Sequence, residues 1–360
     1  MDRENNPIRV GITIGDINGI GPEVIIHALK DIRILSDCTA IIYGSTKTMS
    51  YHKKAIGDED FAYQSCKSAT DAVPKKINIV NVWNDEIKFD LGTVSETGGK
   101  YAFMSLEKAT EDLASGKIDV LVTAPISKEA IAKAGFKFPG HTEYLADMSG
   151  DNEALMLMVS GDLKVALVTS HIAIKDVPTA LTKEKIHSKI QALDSSLKKD
   201  FGIVRPRIAV LGLNPHAGEN GKMGTEESES IVPAINLAKN EDILAFGPYP
   251  ADGFFGSSQI GKFDGVLAMY HDQGLTGFKA LAFEDGVNYT AGLPIVRTSP
   301  DHGTAFDIAG KGIASGQSMR SAIYLALDVY RSRQFIKEIH ANPLQEQKRV
   351  EDKRKSRRPE

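Results

Sequence analysis

Short apolar runs alternate along the chain with longer stretches that carry apolar residues at helical spacing. This alternation is typical of a mainly parallel sheet with helices on both faces. Two runs, residues 154–159 and 164–169, are close enough to form an antiparallel pair. A helix is expected after Thr225, which is suited to cap it, with Glu226 and Glu227 in its first turn. The other predicted strands are residues 9–15, 40–43, 77–82, 120–123, 208–213 and 265–269, and other predicted helices include residues 98–115, 182–199 and 318–335.

Three apolar runs lead directly into a histidine, namely His171, His216 and His271. In α/β proteins the carboxyl ends of parallel strands form the edge of the sheet where ligands bind. Three imidazoles at this edge suit one divalent metal and leave positions open for substrate oxygens. A single such histidine would more often cap a strand by hydrogen bonding. Three at equivalent positions favour a metal site.

Two polar segments are candidates for binding an anionic substrate. His141 and Thr142 lie where a helix over residues 143–148 begins, and the free N–H groups of a helix start suit a phosphate. A simple helix cap by Thr142 explains the same pattern. Lys279 and Arg297, with Asn288 between them, occur in a glycine-rich segment with few helical signals. They predict a phosphorylated or carboxylated substrate if they converge, and solvated surface charge if they do not.

Two glycine-rich segments are candidates for cofactor binding. Residues 15–23 read as a strand, a glycine loop and a helix that starts at Pro22, which suits a phosphate or merely a tight turn. The spacing is not the Rossmann fingerprint, because Val24 stands where its third glycine would be. Residues 302–312 form a second glycine-rich stretch with little apolar periodicity, as functional and ordinary loops both do.

Length and composition narrow the function classes. A chain of 360 residues with 42% hydrophobic and 25% charged residues predicts a globular protein with two domains or lobes. The net charge of −4 argues against nucleic-acid binding. The cysteines, Cys38 and Cys66, form no CxxC pair, so neither a disulfide framework nor a cysteine-bound zinc is expected. Without an apolar leader or a run of membrane-spanning length, we expect a cytoplasmic protein without a membrane partner.

Taken together, eight segments resemble the 4-hydroxythreonine-4-phosphate dehydrogenases of vitamin B6 synthesis. Residues 302–311 are also similar to the cofactor loop of isocitrate and isopropylmalate dehydrogenases. The resemblance implies their fold: α/β, with two α/β/α lobes, mainly parallel sheets and the active site in the cleft between the lobes. One departure is the glycine loop, which reads Asp-Ile-Asn-Gly where the family more often has Asp-Pro-Ala-Gly. The segments are residues 15–23, 123–128, 140–143, 169–178, 214–227, 250–255, 269–279 and 297–312.

The resemblance also implies roles for individual residues. It makes the three strand-end histidines ligands of one divalent metal (zinc, magnesium, cobalt or manganese), shared across the interface of a homodimer. It implies NAD as the cofactor and a phosphorylated hydroxy acid as the substrate. The implied metal ligands are His171, His216 and His271, and the implied substrate contacts are His141, Thr142, Lys279, Asn288 and Arg297. Our candidates for catalysis are His216, Asp252 (which matches the inter-domain aspartate of the family) and Lys279, and our candidates for cofactor contact are Gly19, Gly21, His302, Gly303 and Asp307.

The implied function is metal-dependent, NAD-linked oxidation of 4-phosphohydroxy-L-threonine to a 2-amino-3-oxo acid phosphate, which decarboxylates to 3-amino-2-oxopropyl phosphate. Alternatives are a dehydrogenase of 4-phospho-D-threonate or 4-phospho-D-erythronate, a phosphate-acyl transferase on a similar fold, a three-histidine metal hydrolase, and a non-catalytic sugar-phosphate sensor. We expect one lobe, on the cofactor side, from residues 1–125 and 295–342, and a second, with the metal ligands and dimer contact, from residues 126–294. A charged tail is expected over residues 343–360.

Overall fold

A twelve-stranded sheet forms the centre of the protein in a computed structural model that describes residues 7–150, 154–282 and 284–341. The strands are β1 (Ile8–Thr13), β2 (Cys38–Gly44), β3 (Gln64–Cys66), β4 (Ile77–Asn81), β5 (Val120–Thr123), β6 (Leu155–Ser160), β7 (Leu163–Leu167), β8 (Arg207–Leu211), β9 (Leu244–Tyr249), β10 (Gly265–Ala268), β11 (Val287–Ala291) and β12 (Arg297–Pro300). Their order across the sheet is β3-β4-β2-β1-β5-β12-β11-β6-β7-β10-β8-β9.

The sheet consists of two parallel halves joined by antiparallel strands. From β3 to β12, each pair of neighbours is parallel, and so is each pair from β7 to β9. Between these halves, β11 and β6 pair antiparallel with each other and with their outer neighbours. The predicted antiparallel pair is confirmed as β6 and β7, with Leu157 opposite Ala166. Strand direction therefore reverses in the middle of one continuous sheet.

Helices pack against the sheet, and the predicted α/β class with a mainly parallel sheet is confirmed. No helix among the described residues is long and apolar enough to cross a membrane. The helices are α1 (Gly21–Leu29), α2 (Thr46–Ala55), α3 (Glu96–Ala114), α4 (Lys128–Lys133), α5 (His141–Met148), α6 (Val177–Ala180), α7 (Lys183–Lys199), α8 (Val232–Asn240), α9 (Ala251–Phe255), α10 (His271–Leu281) and α11 (Gln317–Ala341).

Most predicted elements are present with shifted ends. The first strand stops at Thr13 rather than at Gly15, because Gly15 has a φ of 71° and turns the chain. The lobe boundaries at residues 125/126 and 294/295 stay predictions, and the expected tail at 343–360 lies outside the described residues.

Helix α10 was not predicted, because two glycines interrupt its sequence. A β-carbon on Gly274 would lie 2.8 Å from Cδ2 of Leu167, and one on Gly277 would lie 2.6 Å from the Phe255 ring. The glycines therefore let α10 pack closely on β7 and α9. Tertiary packing here overrides the low helix propensity of glycine.

The C-terminal helix is tied to the sheet by a buried arginine on α11. The Nε of Arg333 lies 2.7 Å from Oδ1 of Asp200, and its Nη2 donates to the Tyr289 hydroxyl at 2.9 Å. Its Nη1 donates to the carbonyls of Pro294 and Ile295 at 3.0 and 3.2 Å. The side chains of Arg333 and Asp200 are only 10% and 2% exposed, so either charge alone would be buried without compensation.

We expect Arg333→Ala to lower the free energy of unfolding by about 3–5 kcal/mol, because it leaves Asp200 buried and unpaired. Urea denaturation at neutral pH measures this loss. The matched control is Arg331→Ala on the same helix, where the side chain is 47% exposed and pairs with Asp37. That exposed pair should contribute less than about 1 kcal/mol. Equal losses in the two variants would contradict the anchoring role of Arg333.

Candidate active site

Three histidines follow neighbouring strands in the second half of the sheet. His171 comes after β7, His271 opens α10 after β10, and His216 comes after β8. The rings of His171 and His271 are 5.9 Å apart between centroids. Nδ1 of His271 lies 2.7 Å from Oδ1 of Asp272, so a proton on Nδ1 leaves Nε2 free to bind a metal.

His216 does not join this pair within one chain. Among the described residues, no group of three or more His, Cys, Asp or Glu side chains is arranged to hold a metal ion. His171 and His271 are therefore a pair of neighbouring imidazoles, and they do not by themselves make a three-ligand group in the described part of the chain. Burial first, and the positive charge of Lys128 second, lower the pKa of His171. A lowered pKa keeps this imidazole neutral, as metal binding requires.

The strand ends that carry the histidines are joined by side-chain hydrogen bonds. The Thr169 hydroxyl donates to the Met269 carbonyl at 2.8 Å, which joins the ends of β7 and β10. Oε1 of Gln273 accepts from the Met269 N–H at 2.7 Å, and its Nε2 donates to the Gly212 carbonyl at 2.6 Å, which joins β10 to β8. We call these four residues the strand-end network. It sets the spacing of the segments that present the histidines.

His216 lies in a left-handed turn. Five consecutive residues, 216–220, have φ between 42° and 80°, and only Gly218 among them is a glycine. For other residues the left-handed conformation costs roughly 1–2 kcal/mol each. The surrounding structure therefore keeps these residues in a conformation that their side chains disfavour. Backbone strain of this kind clusters at functional sites.

Arg297 is a buried cation at the reversal of the sheet. It is 3% exposed, and burial lowers its pKa to about 10. Its Nε and Nη2 donate to the Thr123 hydroxyl at 3.0 and 2.6 Å, and its Nη1 donates to the Thr290 hydroxyl at 3.1 Å. No ion pair joins it to a carboxylate in the described part of the chain; the charge of Glu143 acts on it only through space. A buried guanidinium with hydroxyl partners alone is suited to an anionic ligand.

His141 lies close to this guanidinium. Burial and then the charge of Arg297 hold the pKa of His141 well below its usual value, so the ring is neutral. Helix α5 begins at His141 after Gly140, with no side-chain cap. The alternative interpretation, in which Thr142 caps this helix, is therefore wrong. Glu143 also raises the pKa of His171, which places the start of α5 near the histidine pair.

A second basic group lies next to His302. Nζ of Lys279 lies 3.3 Å from Oδ2 of Asp301, and burial is the main cause that raises the pKa of this carboxyl group. The charges of His302 and His271 lower the same pKa, so all four groups are within electrostatic range. Asp301 is thus within electrostatic range of both Lys279 and His271, and Glu143 is within range of both Arg297 and His171.

Three predicted site residues carry buried polar atoms that lack a partner among the described residues: Nε2 of His141, Oδ1 of Asn288 and Nε2 of His302. A buried polar group left without a hydrogen bond costs about 1–3 kcal/mol. Orphaned atoms at three separate predicted positions fit a site that is completed by a polar ligand.

The two glycine-rich segments lie against each other. The Ile20 N–H donates to the Thr304 carbonyl at 3.0 Å, and Glu23 accepts the N–H groups of Gly310 and Ala314 at 3.1 and 2.9 Å. A β-carbon on Gly19 would lie 2.8 Å from the Thr304 oxygen. This packing alone requires glycine at position 19.

The remaining predicted cofactor residues differ in their surroundings. A β-carbon on Gly21 would collide with the Ile14 carbonyl oxygen, so packing explains this glycine too. Gly303 faces open space within 4 Å of its β-carbon position, and Asp307 is exposed. His302 is partly buried, and burial lowers its pKa. Gly303, His302 and Asp307 therefore form the part of this region that is open to a ligand.

Asp252 lies in the first turn of α9. It lines a cleft of about 600 Å³ together with His216, Asp272 and Gln273. The cleft therefore connects His216 and Asp252 to the start of α10.

Comparison with known proteins shows the family of this chain. Residues 36–326 match the family model described as "Pyridoxal phosphate biosynthetic protein PdxA". The chain belongs to the PdxA family. A 4-hydroxythreonine-4-phosphate dehydrogenase from Bacteroides thetaiotaomicron is 52% identical over 345 residues, which cover 96% of this chain and 94% of the relative. The crystal structure of the enzyme of that name from Klebsiella pneumoniae superposes with a TM-score of 0.78 at 35% identity and covers 91% of this chain and 99% of its own.

PdxA family membership makes the chain an oxidoreductase that acts on a CH–OH group, in pyridoxal phosphate biosynthesis. A nicotinamide cofactor follows from the dehydrogenase class. Another PdxA relative, from Oceanobacillus iheyensis, is 43% identical over 326 residues and is named, provisionally, a D-threonate 4-phosphate dehydrogenase; the match covers 89% of this chain and 97% of that one.

Several supporting residues of this PdxA chain were not assigned a role from the sequence. Thr123 ends a predicted strand, and a polar residue at that position is a signal that sequence reasoning can use. Thr290, Asp301 and Gln273 carry no such signal, because their roles depend on contacts between distant segments. Asp16, between β1 and α1, is another residue to which the sequence analysis assigned no role.

Asp16 is completely buried in the glycine loop. Its Oδ1 accepts the Asn18 N–H at 2.9 Å, and its Oδ2 lacks a partner among the described residues. Burial raises the pKa of this carboxyl group from 3.8 to about 6. Because the folded-state pKa is the higher one, the stabilising contribution of Asp16 is complete below about pH 4 and is lost as the pH rises through 6.

Asp16→Asn should therefore stabilise the protein at pH 8 by about 3 kcal/mol and much less at pH 4.5. Urea denaturation of both proteins at the two pH values measures the difference. Asp31→Asn is the control, because Asp31 is only partly buried and its hydrogen bond to Arg33 lowers its pKa to about 2. A gain for Asp16→Asn that is the same at both pH values would contradict the assigned cause.

Proposed function

We propose that the chain catalyses metal-dependent, NAD-linked oxidation of 4-phosphohydroxy-L-threonine. The product, a 2-amino-3-oxo acid phosphate, would lose carbon dioxide to give 3-amino-2-oxopropyl phosphate. The observation that carries the proposal is the buried guanidinium of Arg297, which has hydroxyl partners and no carboxylate partner in the described part of the chain. The name of the 52% identical relative supports this substrate.

In this proposal the substrate supplies the groups that the site lacks. An anionic end of the substrate would neutralise Arg297 and accept hydrogen bonds from His141 and from the free N–H groups at the start of α5, beside Thr142. The orphaned Oδ1 of Asn288 would accept a hydrogen bond from a substrate amine or hydroxyl. Lys279 would bind the other charged end and balance Asp301. Removing one buried ionic partner typically weakens binding by roughly 2–5 kcal/mol.

His171 and His271 would hold one divalent ion (zinc, magnesium, cobalt or manganese), with His216 as a third ligand from a second copy of the chain in a homodimer. A bound ion would supply Lewis acidity that lowers the pKa of the substrate hydroxyl. The shared arrangement is supported by the separation of His216 from the other two imidazoles within one chain. Ile172 and Ile174, directly after His171, are 43% and 71% exposed and suit a surface covered by another subunit.

The protein would orient NAD with the loop around His302, Gly303 and Asp307, held against residues 19–23. Bound NAD would accept the hydride. Lys279 and Asp252 are the proposed groups for proton transfer, and His216 would take part in catalysis as a ligand of the metal. Lys279 is the strongest of these candidates, since its ion pair with Asp301 lies beside the orphaned His302.

Oxidation of 4-phospho-D-threonate or 4-phospho-D-erythronate is the second candidate. It is favoured by the 43% identical relative named for D-threonate 4-phosphate. These substrates carry a phosphate and a carboxylate, as 4-phosphohydroxy-L-threonine does, but have a hydroxyl in place of the amine. The same basic residues suit both, so the groups near Asn288 would decide between them.

The test is NADH formation, followed by its near-ultraviolet absorbance, with each phosphorylated acid in the presence and absence of a chelator. We expect chelator-sensitive reduction that favours 4-phosphohydroxy-L-threonine. A preference for 4-phospho-D-erythronate or 4-phospho-D-threonate would replace the substrate and keep the reaction type. No reduction of NAD with any of them, on folded protein loaded with metal, would overturn the proposed function and favour a transferase.

Replacing His216 should remove the metal without unfolding the chain. We expect His216→Ala to weaken metal binding by more than the 10–100-fold that is typical of residues that only support a ligand. Metal affinity is measured by competition with a chromophoric chelator, and the fold by circular dichroism. His340→Ala, at the exposed end of α11, is the matched control. Unchanged affinity in His216→Ala would remove His216 from the ligand set.

A further inference from the structure

The turn that carries His216 is held by a buried carboxylate that has no assigned role. Glu227 is 5% exposed and opens a π-helical turn, Glu227–Ile231, directly before α8. Its Oε1 accepts the backbone N–H groups of Leu213 and Asn214 at 2.8 and 2.7 Å, and its Oε2 accepts Nδ2 of Asn214 at 2.9 Å. One carboxylate thus binds the chain immediately before the left-handed residues.

The same carboxylate also packs against the turn itself. A β-carbon on Gly218 would lie 2.6 Å from Oε2 of Glu227, so glycine is needed there for close approach as well as for its φ of 80°. Asn214 donates its second amide hydrogen to Glu226 at 2.7 Å, which fixes the orientation of the amide. The carboxylate and the turn therefore form one packed unit.

The position of Glu227 is better explained by the turn than by its own helix. An acid in the first turn of a helix is ordinarily stabilised by the helix dipole while exposed to water. Glu227 is instead turned inward, and single π-helical turns occur frequently at functional sites. Its hydrogen bonds run to the residues that precede His216 and offset the strain of the left-handed backbone.

We infer that Glu227 is a positioning residue that holds the left-handed turn 216–220 and thereby places the His216 imidazole for metal binding. The inference rests on the proposed function, in which His216 is a metal ligand. Glu227 would contact neither metal nor substrate. It would act by fixing the backbone conformation at His216.

The test is metal affinity in the full-length, folded Glu227→Gln protein, measured by competition between Co²⁺ and a chromophoric chelator. Glutamine keeps the size of the side chain but sets an N–H donor against Nδ2 of Asn214. We expect affinity to fall about 10–100-fold, as for other residues that orient a metal ligand. The visible absorption spectrum of the bound Co²⁺ should change as well. Glu229→Gln, an exposed position on the same helical turn with the same change in charge, should match the wild type.

A rescue variant separates positioning from general stability. Glu219 has a φ of 42° and an exposed side chain, and glycine adopts this conformation without steric cost. The double variant Glu227→Gln/Glu219→Gly should bind Co²⁺ several-fold more tightly than Glu227→Gln. Glu219→Gly alone should have nearly the metal affinity of the wild type. If Glu227→Gln does not fold, Asn214→Ala takes its place, because it removes only the side-chain hydrogen bonds between Asn214 and the two glutamates. We then expect a smaller loss of metal affinity, and Glu219→Gly should again restore part of it.

The outcomes distinguish the two hypotheses. Wild-type affinity in folded Glu227→Gln, an equal loss in Glu229→Gln, or no rescue by Glu219→Gly would each overturn the positioning role. If His216→Ala binds Co²⁺ as tightly as the wild type, the proposed metal site itself is wrong. Loss in His216→Ala together with wild-type binding in Glu227→Gln would reject the positioning role and leave the proposed function in place.

Discussion

The buried charge of Arg297 is the constraint on which the arrangement of the site depends. It lies where β5, β12 and β11 meet, at the point where strand direction reverses, and hydroxyls from both neighbouring strands hold its guanidinium. Hydroxyls fix the orientation of a guanidinium but do not neutralise it. The fold thus keeps a directed positive charge away from water, beside a histidine whose pKa is lowered by burial and then by this charge. A site of this kind is suited to bind anions with little reorganisation, because the desolvation free energy of the cation is already included in the free energy of folding.

Around this charge, the histidine-bearing strand ends are organised by groups of a different kind. The strand-end network uses neutral amide and hydroxyl groups, which hold positions without adding charge near the imidazoles. Carboxylates support the histidine segments at separate points: Asp272 beside His271, and Glu227 beneath the turn that carries His216.

The sequence predicts the α/β class, the antiparallel pair at β6 and β7, and the histidines after β7, β8 and β10, because period and composition are local properties. It does not predict α10, since the two glycines in that helix are explained only by the side chains of β7 and α9 packed on them. The partners of Arg297 were missed for a similar reason: Thr123 is 174 residues away in the chain. Glu227 has the pattern of an ordinary helix start, and only its inward rotamer, a tertiary feature, reveals its contacts with the His216 turn.

The insertion of β12 between β5 and β11 has a consequence for how the chain is made. The first parallel half is complete in sequence by residue 123 except for this strand, which follows only after the whole second half has been synthesised. Until then the edge of β5 has no partner, and unpaired edges pair readily with other chains. On the ribosome, the pairing of β5 with β12 in the first half is possible only after residues 297–300 have been synthesised. A nascent or truncated chain that ends before them would keep this edge open to association.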